Sequence, residues 1–201
     1  MASDLNNSVI VDYESGNLRS VANMLTFLNL PYTISSDKNE ILNAKRIIFP
    51  GQGHFAQAMG NLEKKGLVDV IKEACERQIP FLGICIGLQI LFEKSEEAPN
   101  TKGLGILKGE VKRFTKGKIP QVGWTKITTT NNNSYLDNDY FYFVNSYYVK
   151  PEDESIISAT YNYYGDFCAS VQTKNITAVQ FHPEKSASAG LKFFKNWLEI
   201  I

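Results

Sequence analysis

The first half of the chain alternates short, β-branched apolar runs with longer stretches whose apolar residues recur every three to four positions. Residues 8–13 predict a strand and Ser15-Gly16-Asn17 the turn after it. Leu18, Val21, Ala22, Leu25 and Leu28 then hold helical spacing to about Leu30. Residues 32–35, 46–49 and 81–84 predict three further strands, the second stopped by Pro50-Gly51. Between the last two, Leu67, Val70, Ile71, Ala74 and Cys75 mark one face of a helix, and residues 87–92 predict the helix after the fourth strand. Such alternation predicts an α/β protein with a mostly parallel open sheet and helices on both faces.

After Lys102 the character changes. Residues 111–114, 122–127, 140–144, 155–161 and 167–171 are extended and aromatic-rich, which suits antiparallel hairpins added to the parallel core. Residues 128–134 are the most polar stretch and predict an exposed loop. Residues 177–181 predict a late strand, and Leu191, Phe194, Leu198 and Ile201 one face of a closing helix. No repeat or long linker interrupts the chain, so residues 1–201 read as a single domain.

Composition narrows the partners. Lys plus Arg and Asp plus Glu each number 21, so the long-range field that nonspecific binding to nucleic acid or anionic membrane needs is absent. No apolar run approaches a membrane span, and residues 1–7 lack the charged and apolar regions of a signal peptide. Three cysteines do not make a disulfide framework, so a soluble, reduced, cytoplasmic protein is expected. Two scattered histidines and separated cysteines give no metal-ligand spacing, and no metal or cofactor is expected.

The sharpest chemical feature is Gly83-Ile84-Cys85-Ile86-Gly87, at the junction of a predicted strand and helix. It is the thiol counterpart of a nucleophile elbow, whose tight turn needs glycines because neighbouring backbone comes too close for a Cβ. Cys85 would sit at a helix N-terminus that favours thiolate, and the Ile86 amide would face a developing oxyanion. Cys75 and Cys168 sit in ordinary helical and strand patterns and read as buried core residues. The nucleophile's base is sought in His182, at the end of a strand; Glu184, two residues on, can reach the same side and fix the imidazole tautomer. His54 has no carboxylate near it in sequence, so a structural role is favoured over substrate contact. Pro50-Gly51-Gln52-Gly53 ends a strand, begins a helical stretch and suits a second oxyanion donor or ligand cradle.

Taken together, Pro50-Gly51-x-Gly53, Gly83-x-Cys85-x-Gly87-x-Gln89 and His182-Pro183-Glu184 resemble the class I (triad) glutamine amidotransferases. Within them, residues 11–21, 92–97, 103–105, 121–124 and 142–147 and the ending Phe181-His182-Pro183-Glu184-Lys185-Ser186 are most similar to the glutaminase subunits of imidazole glycerol phosphate synthase. The resemblance spans essentially the whole chain. It implies that Cys85 attacks the side-chain amide of L-glutamine, with His182 as base and acid and Glu184 orienting it. It implies too that the Gly53 and Ile86 amides hold the oxyanion, and that Gly51, Gln89, Glu97, Ser146 and Tyr147 bind glutamine. Asn17, Trp124, Tyr142 and Lys185 would lie toward a (β/α)8 cyclase subunit that receives the ammonia in a heterodimer. Three positions depart from the pattern: Asn145 replaces a usual His, and Gln52 and His54 stand where the loop is usually apolar or small.

Three other readings remain at this point. The chain could serve a sugar amidotransferase of surface-polysaccharide synthesis, which the departures at 52, 54 and 145 leave open. It could be a cysteine hydrolase of related fold, which peptide cleavage without glutamine turnover would favour. Or it could be a silent docking module, with its aromatic residues near 140–148 as the docking face.

Overall fold

Strand β1 (Ser8–Val11) pairs in parallel with β2 (Tyr32–Ser35) on one side and β3 (Arg46–Phe49) on the other. The computed structural model describes residues 8–14 and 16–200; residues 1–7, Ser15 of the predicted turn and Ile201 of the closing helix lie outside the described residues. Next to β3 come β4 (Phe81–Ile84) and then β12 (Ile176–Val179), both parallel. The parallel part therefore runs β2-β1-β3-β4-β12, the flavodoxin-like order whose fifth strand comes from the far end of the chain. Crossovers are made by α1 (Leu18–Phe27), α2 (Lys38–Leu42) and the pair α3 (Phe55–Lys64) and α4 (Val68–Glu76). A single turn, α5 (Ile86–Gln89), follows β4.

The period-two alternation of the strands divides the core. Val9, Val11, Ile47, Phe49 and Phe81 pack with Ile41 and Leu42 of α2 and with the buried faces of α3 and α4. Their neighbours Ile10, Ile48, Leu82, Ile84 and Val179 pack with α1 and with Phe193, Phe194 and Trp197 of α6 (Ala187–Ile200). Helices thus cover both faces, and each large side chain so buried contributes about 1.5–3 kcal/mol.

The aromatic-rich strands do more than the sequence suggests. β11 (Asp166–Gln172), β10 (Ile157–Asn162), β7 (Gln121–Thr129) and β8 (Tyr140–Asn145) add antiparallel to β12, extending the same sheet to nine strands among the described residues. A second sheet joins β5 (Lys94–Ser95), β6 (Gly109–Arg113) and β9 (Tyr147–Pro151). The helix predicted over 87–92 stops at Gln89. Residues 86–92 are buried on every side, so their apolar run carries no amphipathic period to mark where a helix ends.

Candidate active site

Between β4 and α5, Cys85 adopts φ 55°, ψ −106°, a backbone conformation that L residues rarely hold and that costs on the order of 1–3 kcal/mol. Its flanking glycines make that turn possible. A Cβ on Gly83 would stand 2.7 Å from the Gly87 carbonyl oxygen, and one on Gly87 only 2.3 Å from the Phe49 carbonyl oxygen. Because α5 is one turn long, its dipole offers little to an anionic sulfur, less than the longer predicted helix would have given. Burial pushes the Cys75 and Cys168 thiols up to about 12, Glu76 adding to the effect at Cys75, so both stay protonated in the core.

His182 follows the end of β12 and is 2% exposed. Its amide donates to the Tyr142 carbonyl at 2.9 Å, which ties it to β8. Its Nδ1 lies 2.7 Å from Glu184 Oε1. Glu184 begins no helix of its own; a 3-10 turn over Pro183–Lys185 folds its carboxylate back against the ring. Asn17 donates its side-chain amide to the same carboxylate oxygen. Although Asn17 occupies the N-cap of α1, its side chain makes no capping bond. The resemblance places Asn17 toward a partner; in the structure its side chain also braces the imidazole's carboxylate, from a position 167 residues away.

Burial alone would lower the pKa of His182. The negative charge and hydrogen bonding of the Cys85 sulfur, and after them those of Glu184, override it and raise the group to about 10. The sign follows: the imidazolium and the stability it brings are fully present below the ordinary histidine value near 6.5 and are lost as pH rises through about 10. Titrating the imidazole by NMR should find His182 still protonated at neutral pH. In Cys85→Ala its midpoint should fall by more than one unit, because the two strongest upward influences are gone. An unmoved midpoint would show that the sulfur does not act on the ring.

Cys85 and His182 line a cavity of about 260 Å³ at the C-terminal edge of the parallel strands, small enough for an amino acid rather than a large ligand. Gly53, Cys85, Ile86, Gln89, Glu97, Ser146, Tyr147 and His182 all contribute to its wall. Gly51 does not. It lies beneath, where a Cβ would stand 2.1 Å from Ile86 and 2.2 Å from the Tyr13 hydroxyl, and that hydroxyl donates to the Pro50 carbonyl at 2.9 Å. Gly53 holds φ 112°, a conformation suited to glycine. Glu97 accepts from the Phe55 amide at 2.7 Å and so joins the loop to the start of α3. His54 is exposed outside the cavity, and its Nδ1 caps α3 by accepting from the Ala56 amide at 3.2 Å.

The wall also holds Gln52, Pro120, Val144, Asn145 and Lys185. In the sequence, Gln52 and Asn145 stand out only as departures from the family pattern, and the resemblance places Lys185 toward a partner. Asn145 is buried and donates to the Tyr147 carbonyl and the Tyr161 hydroxyl, at 3.0 and 3.1 Å. Gln180, which nothing in the local sequence singled out, is wholly buried beside Cys85. Near the cavity, Trp124 of β7 and Tyr142 of β8 face each other in register with ring centroids 5.9 Å apart.

The arrangement can do one kind of chemistry well. A cysteine sulfur and an imidazole held by a carboxylate meet at a small cavity, groups that can carry acyl transfer from an amide or ester. Residues 9–200 match the family described as "Glutamine amidotransferase class-I". The chain belongs to that family. It is 47% identical over 196 residues to "Imidazole glycerol phosphate synthase subunit HisH" of Dehalococcoides mccartyi (strain CBDB1), covering 95% of this chain and 96% of the relative. To the protein of the same name from Aquifex aeolicus (strain VF5) it is 44% identical, covering 94% and 95%. A solved structure titled "Crystal structure of glutamine amidotransferase" superposes with a TM-score of 0.77 at 21% identity, over 96% of this chain and 97% of the other, a likeness of fold.

Proposed function

We propose that the chain is the glutaminase subunit of an imidazole glycerol phosphate synthase in histidine biosynthesis, with residues 1–201 forming a single glutamine amidotransferase domain. The observation that carries this reading is that Cys85 and His182 share the cavity wall while Glu184 holds the imidazole from behind. Relatives of that name match it along nearly their full length. In the reaction, the Cys85 sulfur attacks the side-chain amide carbon of L-glutamine. Negative charge gathers on the carbonyl oxygen, held by the Ile86 and Gly53 amides. The C–N bond then breaks as the His182 imidazolium gives its proton to the leaving nitrogen, releasing ammonia and a glutamyl thioester. His182, now neutral, takes a proton from water; the water oxygen attacks, the C–S bond breaks and glutamate leaves. Gln89, Glu97, Ser146 and Tyr147 hold the glutamine.

Ammonia set free in bulk water would be protonated and lost as a nucleophile, so this chemistry calls for a covering partner. The outer face of β7 and β8 supports one: Val122, Trp124, Tyr140 and Val144 are exposed there, and Val144 also lines the cavity. On this reading the strip docks a (β/α)8 cyclase as a heterodimer, with Asn17, Trp124, Tyr142 and Lys185 facing it. Light scattering of the mixed proteins should give a 1:1 complex that makes product from glutamine. Trp124→Ala should weaken that complex roughly 30-fold, the effect of truncating a buried interface aromatic. A chain that turns over glutamine yet forms no complex with the cyclase would overturn the partner.

A further inference from the structure

The site described so far leaves one wholly buried amide unused. Gln180 lies just past β12, between the strand and His182, and is 0% exposed. Its Nε2 is 3.6 Å from the Cys85 sulfur, and its Oε1 accepts from Gln89 Nε2 at 3.0 Å. Gln89 Nε2 also donates to the Tyr147 backbone carbonyl at 3.4 Å.

That last contact orients the whole chain of amides. A backbone carbonyl can only accept, so Gln89 must turn its NH2 toward it. The same NH2 faces Gln180, so Gln180 must present its oxygen there. Its own NH2 is then left toward the sulfur. The N–H donor on Cys85 is thus set by connectivity rather than by a free choice of amide rotamer. We infer that Gln180 is a catalytic residue of the proposed reaction, its side-chain N–H holding the Cys85 sulfur as an aligned thiolate.

A donor to an anionic sulfur favours the charged form, and in a buried setting such a bond is stronger than its neutral counterpart. The one-turn α5 cannot supply this from its dipole. Other titratable groups near the sulfur are His182 and Tyr161 of β10, with Glu97, Tyr147 and Lys185 on the cavity wall. Tyr161 is held neutral, because burial raises its hydroxyl well above the ordinary value. Glu97 is engaged by the Phe55 amide. Gln180 is therefore the uncharged donor to the sulfur, working beside the imidazolium.

The inference rests on the amidotransferase reading of Cys85, and its test separates the two. The rate at which iodoacetamide alkylates Cys85 is followed against pH in the full chain. Gln180→Met removes the donor, so the alkylation curve should move to higher pH and kcat with glutamine should fall roughly tenfold with KM little changed. Gln180→Glu keeps an oxygen for Gln89 but turns an acceptor on the sulfur; it should move the curve further and lower kcat more, again with KM little changed. In the unaltered protein, the Gln180 side-chain amide signal should shift with the same midpoint as the alkylation. That measurement stands even where a variant folds poorly. Variants that follow the unaltered alkylation curve, or a Gln180 signal that stays still through the midpoint, overturn the role. Absence of glutamine turnover by the unaltered protein with its partner would instead overturn the amidotransferase reading.

Discussion

Cys85→Ala, assembled with the cyclase, should lose glutamine-dependent synthesis by about 10⁴-fold or more, while synthesis from added ammonia stays within about twofold. The asymmetry follows from geometry. Cys85 is 7% exposed, and only its sulfur is removed, so the elbow keeps its backbone and the neighbouring core its packing. No other cysteine can substitute, since Cys75 and Cys168 are buried and held as thiols by that burial. His182 and Glu184 remain, yet they have no covalent partner through which to split the amide. The cyclase would still receive ammonia from solution. Equal loss of both activities would mean that position 85 matters to docking or folding rather than to amide chemistry. Loss of neither would mean that the nucleophile lies elsewhere.

Much of this was legible because it is local. The parallel strands announce themselves as β-branched runs of four residues, and each of β1 to β4 appears where the alternation places it. Cys85 and its glycines are readable because one tight turn makes all the demands. What escaped was short or long-range. α2 has five residues and β5 two, too few for any period to emerge. The hairpins were visible as strands, but their merging into one sheet with β12 depends on pairings that no local pattern encodes. Gln180 reads as one more polar residue at a strand end. Its meaning comes from Gln89 and Cys85, 91 and 95 residues away. Asn17 likewise gains its role only when the fold brings Glu184 beside it.

Gly87→Ala should prove the most damaging change outside the reacting groups, and the reason is a single contact. The new Cβ would meet the Phe49 carbonyl oxygen at 2.3 Å. That oxygen is backbone of β3, so no side-chain rotation can relieve the overlap. Either β3 or the Cys85 turn must move. Overpacking of this kind costs about 3 kcal/mol, which for a chain this size lowers Tm by roughly 6–12 °C. If the turn yields, the sulfur shifts against His182, and a displacement near 1 Å costs about 10²-fold in rate. Gly60→Ala is the matched control: Gly60 lies inside α3, and a Cβ there meets nothing within 4 Å. It should stabilise the protein by about 0.5–1 kcal/mol and leave turnover unchanged. Equal effects of the two substitutions in calorimetry and glutaminase assays would mean that the close approach of α5 to β3 does not set the nucleophile's position.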